Sequence, residues 1–275
     1  MTTSRLSVGY QGTDGAYSQI AAERHFAGRA QELVSRGYNS FAELLQAVLD
    51  GEIDYAMQPI ENTTAGSIND AYDLLARLDL HLVGEEVLKV EHCLAALPGT
   101  ELAAIRRVYS HPQALAQSSD FLGRLRDCEA IAFTDTAMAM KKVRDEGMRE
   151  QAAVASERAA ALYGLEILAR DIANQKSNYT RFVVAAKQPA NYPLDLTCKT
   201  SLILTTRHER GALVRCLNVL ADHNLSLTKI ESRPIKNKPW EYLFFLDMRG
   251  HRDQSAVKKA IAGLERNCLF LKILG

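Results

Sequence analysis

The chain has 275 residues, with 33 basic and 33 acidic side chains and a hydrophobic fraction of 47%. Balanced charge gives no electrostatic reason to bind nucleic acid or an anionic membrane, and no apolar run reaches the roughly 20 residues that span a bilayer. At about 150 residues per domain the length suits two domains, so a cytoplasmic protein acting on a small molecule is expected. Met1 to Arg5 leads directly into a strand-like run rather than a secretion signal. The five cysteines (Cys93, Cys128, Cys198, Cys216, Cys268) are scattered, odd in number and without metal-ligand spacing. They are expected to be reduced, mostly buried thiols that bind no metal.

In chain order, Leu6 to Tyr10 is a short apolar strand closed by the glycine turn Gln11-Gly12-Thr13-Asp14-Gly15, and Ala16 to Ala27 follows as an alanine-rich helix. Ser40 and Glu43 have capping-box spacing, Phe41, Leu44, Leu45 and Val48 share one face, and Gly51 stops the helix they begin. Ile53 to Ile60 reads as a buried strand. Ser67 is a candidate N-cap for a helix containing Asp70 to Leu78. Strands are then predicted over Leu80 to Val87, His92 to Leu97, Val108 to Ser110, Glu129 to Phe133, Ala152 to Ala155 and Thr180 to Ala186. Helices are predicted between them over Gln113 to Leu125, Thr136 to Glu146 and Ser156 to Tyr163. Such alternation implies α/β layers with largely parallel sheets and ligands at the carboxyl ends of strands.

Two prolines and polar neighbours at Lys187 to Pro193 interrupt the pattern and mark a domain boundary. Beyond it the predicted order is strand Thr200 to Thr206, helix Leu213 to His223, strands Leu225 to Glu231 and Tyr242 to Arg249, helix Gln254 to Glu265 and strand Leu269 to Leu274. That is βαββαβ, the ferredoxin-like order. Three parts follow: an N-terminal domain over 1–187, a linker over 188–199 and a C-terminal domain over 200–275.

Four polar segments stand at strand ends: Gly12 to Ser18, Pro59-Ile60-Glu61-Asn62-Thr63-Thr64-Ala65-Gly66-Ser67, Ser110-His111-Pro112-Gln113-Ala114-Leu115-Ala116-Gln117, and Asn178-Tyr179-Thr180-Arg181-Phe182. Each has a plain structural reading taken alone. Ser67 caps a helix, His111 is a hydrogen-bonder at a helix entry with Pro112 at its first position, and Thr180 and Phe182 alternate along a strand beside a solvated Arg181.

Together, and in this order, the segments resemble prephenate dehydratases, whose motifs include Pro-Ile-Glu-Asn-Ser/Thr-x-x-Gly, Ser-His-Pro-Gln-Ala-Leu-x-Gln and Asn-x-Thr-Arg-Phe. Ser118 replaces the usual cysteine, and Asn174 stands where an acidic residue is common. The C-terminal part resembles an ACT domain through Gly211-Ala212-Leu213-Val214, Asn224-Leu225-Ser226-Leu227-Thr228 and Glu231-Ser232-Arg233-Pro234. The resemblance runs from about Leu6 to the C-terminus, and no chorismate mutase segment is expected before it.

This resemblance implies two α/β lobes in a periplasmic-binding-protein-like catalytic domain, followed by a ferredoxin-like ACT domain that joins a homodimer or homotetramer. It implies a cofactor-free lyase that converts prephenate to phenylpyruvate, water and CO₂ on the route to L-phenylalanine, with phenylalanine as effector. The alternatives are an arogenate dehydratase and a non-catalytic amino-acid sensor. Thr180 is the implied catalytic hydroxyl, and as a very weak acid it is expected to donate a hydrogen bond to the leaving hydroxyl rather than release a proton. Glu61 is a second candidate proton source. Arg181 is expected to anchor the pyruvyl carboxylate, since gripping the departing carboxylate would stabilise the ground state. Asn62, Thr63, Ser110, Gln113, Thr136 and Asn178 are candidate hydrogen-bond partners for the substrate, and Phe182 a wall for its ring. Gly211, Ala212, Leu213, Val214, Asn224, Leu225, Glu231 and Ser232 are the expected phenylalanine-binding residues.

Overall fold

A computed structural model of the chain describes residues 3–235 and 238–275, so Met1 and Thr2 of the expected first domain lie outside the described residues. The chain forms two compact units, one of Met1–Ala71 with Gly84–Ala185 and one of Tyr72–Val83 with Ala186–Gly275. The elements in order are β1 (Thr3–Gln11), α1 (Tyr17–Phe26), β2 (Ala30–Tyr38), α2 (Phe41–Asp50), β3 (Tyr55–Asn62), β4 (Gly66–Ser67), α3 (Asn69–Arg77), β5 (His81–Lys89) and β6 (Cys93–Ala96). They continue with β7 (Arg107–Ser110), α4 (Pro112–Gln117), α5 (Ser119–Leu122), β8 (Glu129–Ala132), α6 (Thr136–Glu146), β9 (Gln151–Ala155), α7 (Glu157–Leu162), β10 (Glu166–Ala169) and β11 (Tyr179–Ala186). The last six are β12 (Lys199–Thr205), α8 (Ala212–Asp222), β13 (Leu227–Pro234), β14 (Tyr242–Arg249), α9 (Ser255–Asn267) and β15 (Phe270–Ile273).

The first unit holds two sheets. One has the order β2-β1-β3-β11-β5 with β4 paired to β3, and the other the order β10-β6-β9-β7-β8. The expectation of largely parallel sheets meets a mixed outcome: β1 runs parallel to β2 and β3, and β7 parallel to β8 and β9, whereas β6 and β10 join the second sheet antiparallel. The central strands β3 and β9 are buried along most of their length, with α1 and α2 packed on β3 and α4 and α6 on β9. Helix α2 forms where its caps require it. Ser40 Oγ accepts the Glu43 N–H at 3.2 Å, Gly51 closes the helix with φ 76°, and Leu44, Leu45, Ala47 and Val48 are buried. In the second sheet's core, Ala137, Ala153, Ala155, Ala159 and Ala160 surround Met140 and Tyr163, and their small side chains let α6 and α7 lie close to the strands.

Three local expectations change. Strands β2 and β10, both at sheet edges, have no counterpart in the sequence reading, since an edge strand with solvent on one side carries few apolar residues. Ser67 pairs with Glu61 in the β3–β4 hairpin instead of capping a helix, and α3 starts at Asn69. The helix expected over Gln113 to Leu125 breaks at the buried Ser118, whose φ of −116° and ψ of 12° separate α4 from α5.

The second unit has the antiparallel order β13-β14-β12-β15, which is the ferredoxin-like arrangement. One face packs Leu202, Leu204, Leu246 and Met248 against Cys216 and Leu220 of α8 and Leu264 of α9. The other face meets the segment 72–83. Tyr72 stacks edge-on against Phe245 with ring centroids 4.7 Å apart, Lys272 Nζ donates to the Leu75 carbonyl at 3.3 Å, and the Leu82 N–H donates to the Leu274 carbonyl at 2.7 Å. Arg233 holds Asp73 through two parallel bonds, Nε to Oδ1 at 3.2 Å and a terminal nitrogen to Oδ2 at 3.1 Å. All five cysteines are free thiols; Cys93 and Cys216 are buried and the other three half-buried. Among the described residues no helix is long and apolar enough to cross a membrane.

Candidate functional site

Strand β11 lies between β3 and β5, so Asn178 to Arg181 run beside Glu61 to Thr63 at the end of β3. Thr63 seals this junction: its N–H donates to the Tyr179 carbonyl at 2.9 Å, its hydroxyl donates to the Ser177 carbonyl at 3.0 Å, and it accepts the Tyr179 N–H at 2.9 Å. Next to it, the Asn62 side chain is oriented by groups whose polarity is fixed. The N–H groups of Thr64 (3.0 Å) and Ala65 (2.9 Å) can only donate, so they face Oδ1. Nδ2 therefore faces the other way and shares its two hydrogens among Asn178 Oδ1 at 2.8 Å, Thr180 Oγ1 at 3.0 Å and the Tyr179 carbonyl at 3.2 Å. With a lone pair of Thr180 Oγ1 taken by Asn62, the Thr180 hydroxyl proton is directed to another acceptor.

The same logic extends outward. Asn178, 1% exposed, presents its oxygen to Asn62 and so turns its nitrogen to Gln117 Oε1 at 3.1 Å. Gln117 Nε2 then donates to Thr64 Oγ1, which itself donates to Asn62 Oδ1 at 2.7 Å. Behind Gln117 stands His92, 3% exposed, with Nε2 3.0 Å from Gln117 Oε1 and Nδ1 3.1 Å from the Tyr17 hydroxyl. Burial lowers the His92 pKa below its ordinary 6.5, an effect the Gln117 bond opposes, and burial raises that of Tyr17. A cavity of about 190 Å³ opens beside this network, lined by Thr64, Gln113, Gln117, Asn174 and Asn178 among others. Thr180 is half-buried next to these residues and is not itself in the lining.

The structure thus brings together Asn62, Thr63, Asn178 and Thr180, with Gln113 at the cavity wall. It does not bring Glu61 and Arg181 to Thr180. Adjacent strand residues point to opposite faces, so Glu61 and Arg181 share the face away from Asn62 and Thr180. Arg181, its side chain 15% exposed, places Nε 2.6 Å from Glu85 Oε2 and a terminal nitrogen 3.8 Å from Glu61 Oε2. Ser110 is fully buried and spends its hydroxyl on the Val154 carbonyl at 2.5 Å, tying β7 to β9. Phe182 is 1% exposed and belongs to the core, so no ligand reaches it as a wall. Asn174 ties its loop to α4 and α5, donating to Ser119 Oγ at 2.9 Å and accepting the Asp120 N–H at 3.1 Å.

Thr136 opens α6 outside the Asn62 network. Its neighbour Asp135 caps that helix, accepting from the N–H groups of Ala137 (2.6 Å) and Met138 (3.0 Å). Asp135 also meets the first glycine loop: Gly12 has φ 104°, and a Cβ added there would lie 2.5 Å from Asp135 Oδ2. Only glycine fits that approach. Gln117 and His92 were not singled out from the sequence. Gln117 sits one helical turn after Gln113 on the same face, which is a usable signal, whereas an isolated histidine between two strands offers none.

In the second unit a cavity of about 540 Å³ is lined by Thr206 to Val214, Trp240 to Tyr242 and Phe244. The expected Gly211 to Val214 stand in its wall at the start of α8, where Gly211 has φ 74°. The other expected residues lie elsewhere. Asn224 (φ 54°) and Leu225 form the turn after α8, where the Leu225 N–H donates to the Leu220 carbonyl at 2.9 Å. Glu231 and Ser232 belong to the edge strand β13, with Glu231 3.6 Å from Lys229 Nζ.

Comparison with known proteins gives two family matches: a model described as prephenate dehydratase over residues 8–190 and one described as ACT domain over residues 200–266. A bifunctional chorismate mutase/prephenate dehydratase of Escherichia coli (strain K12) is 40% identical over 268 residues, covering 98% of this chain and 69% of the relative. A solved prephenate dehydratase from Arthrobacter aurescens in complex with L-Phe superposes with a TM-score of 0.88 at 28% identity, covering 98% of this chain and 89% of that one. A structure described as a novel type of quorum quenching acylase superposes with a TM-score of 0.87 at 34% identity, covering 98% and 96%.

The buried, neutral His92 sets a pH signature. The unfolded chain takes up a proton at about 6.5 and the folded chain only at lower pH, so stability falls as the pH drops below about 6.5 toward the folded value, by up to about 1.4 kcal/mol per pH unit for one such group. Chemical denaturation of His92→Gln between pH 7 and 5 is expected to show a shallower acid loss than the parent. Equal slopes would mean that His92 titrates normally in the fold.

Proposed function

The chain belongs to the prephenate dehydratase family, and from that premise we propose that it converts prephenate to phenylpyruvate with Thr180 as hydrogen-bond donor to the departing hydroxyl. The observation that carries the assignment is the 3.0 Å bond from Asn62 Nδ2 to Thr180 Oγ1, which leaves the threonine proton for the substrate. In the reaction the bond from the ring to its carboxylate breaks and its electron pair enters the ring. The carbon–oxygen bond to the ring hydroxyl then breaks, CO₂ departs, and the hydroxide takes a solvent proton to become water. Aromatisation drives the sequence. A neutral, oriented donor suits this demand, because charge appears on the hydroxyl oxygen only as the bond breaks.

Gln113 and Thr64, at the cavity wall, are the proposed polar partners of the substrate's other oxygens. Arg181 and Glu61 act at one remove: the guanidinium clamps β11 to Glu85 of β5 and Glu61 of β3, which fixes where Thr180 stands. We assign residues 1–187 to catalysis, 188–199 to a linker and 200–275 to regulation, in a cytoplasmic enzyme. The arogenate reaction uses the same donor geometry, so both substrates belong in the assay.

Regulation by L-phenylalanine is proposed at the α8 cavity. Gly211 to Val214 and Asn224 to Leu225 flank opposite ends of an 11-residue helix, about 16 Å long, farther apart than one phenylalanine spans. That separation supports a site completed by a second copy of the chain, in a homodimer or homotetramer. Arg233, in the motif expected at that site, grips Asp73 of α3, a helix that begins soon after the Asn62 loop.

Purified protein incubated with prephenate and with arogenate is expected to form phenylpyruvate from prephenate, with Thr180→Val reducing kcat by about 100- to 1,000-fold. No product from the parent protein, or a folded Thr180→Val within about threefold of it, would overturn the reading. Calorimetry is expected to show L-phenylalanine binding that Gly211→Val abolishes. Asp73→Asn is expected to keep the affinity within about threefold while losing most of the effect of phenylalanine on turnover, since linkage needs the two states to differ at a shared element. Unchanged regulation in Asp73→Asn would exclude that route.

A further inference from the structure

We infer that His92, held as the neutral ring protonated on Nε2, is a positioning residue that braces the outer end of the hydrogen-bond network leading to the Thr180 hydroxyl, in the direction the backbone sets at Asn62. The inference rests on the reading of Thr180 as the donor to the departing hydroxyl, and it deepens that reading by naming what holds the donor in place from behind.

Backbone groups set the orientation of each side-chain amide in turn. The N–H groups of Thr64 and Ala65 fix Asn62 Oδ1, and the Tyr179 carbonyl fixes Asn62 Nδ2. Asn178 must then show its oxygen to Asn62 and its nitrogen to Gln117. Gln117 must show Oε1 to Asn178 and Nε2 to Thr64. The same Oε1 lies 3.0 Å from His92 Nε2, so that nitrogen has to carry hydrogen: a lone pair there would face the lone pairs of an amide oxygen. At the other side of the ring, Nδ1 faces the Tyr17 hydroxyl at 3.1 Å, whose ring packs edge-on with centroids 5.7 Å apart and whose oxygen also reaches the Glu91 carbonyl at 2.6 Å. The Glu91 carbonyl, which can only accept, takes the one Tyr17 proton, and burial disfavours a second proton on the ring at Nδ1.

His92 is not itself in the cavity lining and makes no bond to Thr180; it reaches the cavity wall only through Gln117. It supplies one of the two donors that hold the Gln117 oxygen. Without it Asn178 is the one donor left on the Gln117 oxygen, so Gln117 and the bonds it makes to Thr64 and Asn62 Oδ1 are held less firmly, and the packing around the Asn62–Thr180 pair loosens. The opposite tautomer would have a larger effect than simple loss, because it would favour the flipped Gln117 amide and set it against Asn178.

Two measurements test this. Long-range proton–nitrogen NMR correlation spectra of the full chain at pH 7, with the His92 signals assigned by their disappearance in His92→Gln, report which ring nitrogen is protonated. A protonated Nε2 is expected, and an unprotonated Nε2 would overturn the inference whatever the variants do. In steady-state kinetics, His92→Leu is expected to lose about tenfold or more in kcat with KM within about twofold, in line with one lost buried hydrogen bond. His92→Gln places an amide N–H at similar reach and is expected to keep kcat within about threefold. Equal losses in the Leu and Gln variants, or a folded Leu variant with parental kcat, would show that His92 only fills space. The NMR result stands even if His92→Leu does not fold. Absence of phenylpyruvate formation by the parent protein would instead sink the catalytic reading and leave the tautomer result intact.

Discussion

The direction of one side-chain amide organises this site. Asn62 ends β3 with its oxygen on two backbone N–H groups and its nitrogen against the Tyr179 carbonyl, so turning the amide over would set like against like at three places. At about 1 kcal/mol for each of three hydrogen bonds the reversed state lies about 3 kcal/mol higher, which leaves it well under one molecule in a hundred. Everything polar nearby inherits that choice, including the half-buried Thr180, whose lone pair is taken and whose proton is not.

Strand alternation then keeps charge away from the donor. Thr180 and Arg181 are adjacent, as are Asn62 and Glu61, so the neutral pair and the charged group fall on opposite faces of the same two strands. A guanidinium on the departing carboxylate would hold the ground state more firmly than a transition state in which that charge disperses. With Arg181 engaged by Glu85 and Glu61, its guanidinium stays off the Thr180 face. In the second unit the face of the sheet away from its helices closes on the segment 72–83, through Tyr72 on Phe245 and Arg233 on Asp73. That segment follows the Asn62 loop in the chain and precedes Glu85, so the elements that hold the site and those that hold the effector motif are neighbours in sequence.

Much of this was legible before any coordinates. Helix α2 announces itself through Ser40, Glu43 and Gly51, and βαββαβ is readable because each element beyond Thr200 has its own periodicity and turn. Asn62, Thr63, Asn178 and Thr180 were readable as a group through the motifs they share with prephenate dehydratases, at the end of β3 and the start of β11. What escaped depends on which way a side chain points. A motif names Ser110, Phe182 and Arg181 alike, but only the pleat and the neighbouring strands decide that Ser110 and Phe182 face inward and Arg181 faces Glu85. Strand β2 was missed because an edge strand reading Ala-Gln-Glu-Leu-Val-Ser-Arg-Gly-Tyr shows no alternation. His92 gains its role from Gln117, 25 residues away, and Tyr17, 75 away, which no local pattern encodes.

The most direct measurement of the central claim is the turnover of prephenate by Asn62→Asp. A carboxylate at this position keeps the acceptors for Thr64 and Ala65 but supplies no donor to Thr180, so the threonine proton turns toward the new carboxylate and away from the substrate. The account predicts a loss of about 100-fold or more in kcat in a protein that remains folded. Turnover close to that of the parent would contradict it.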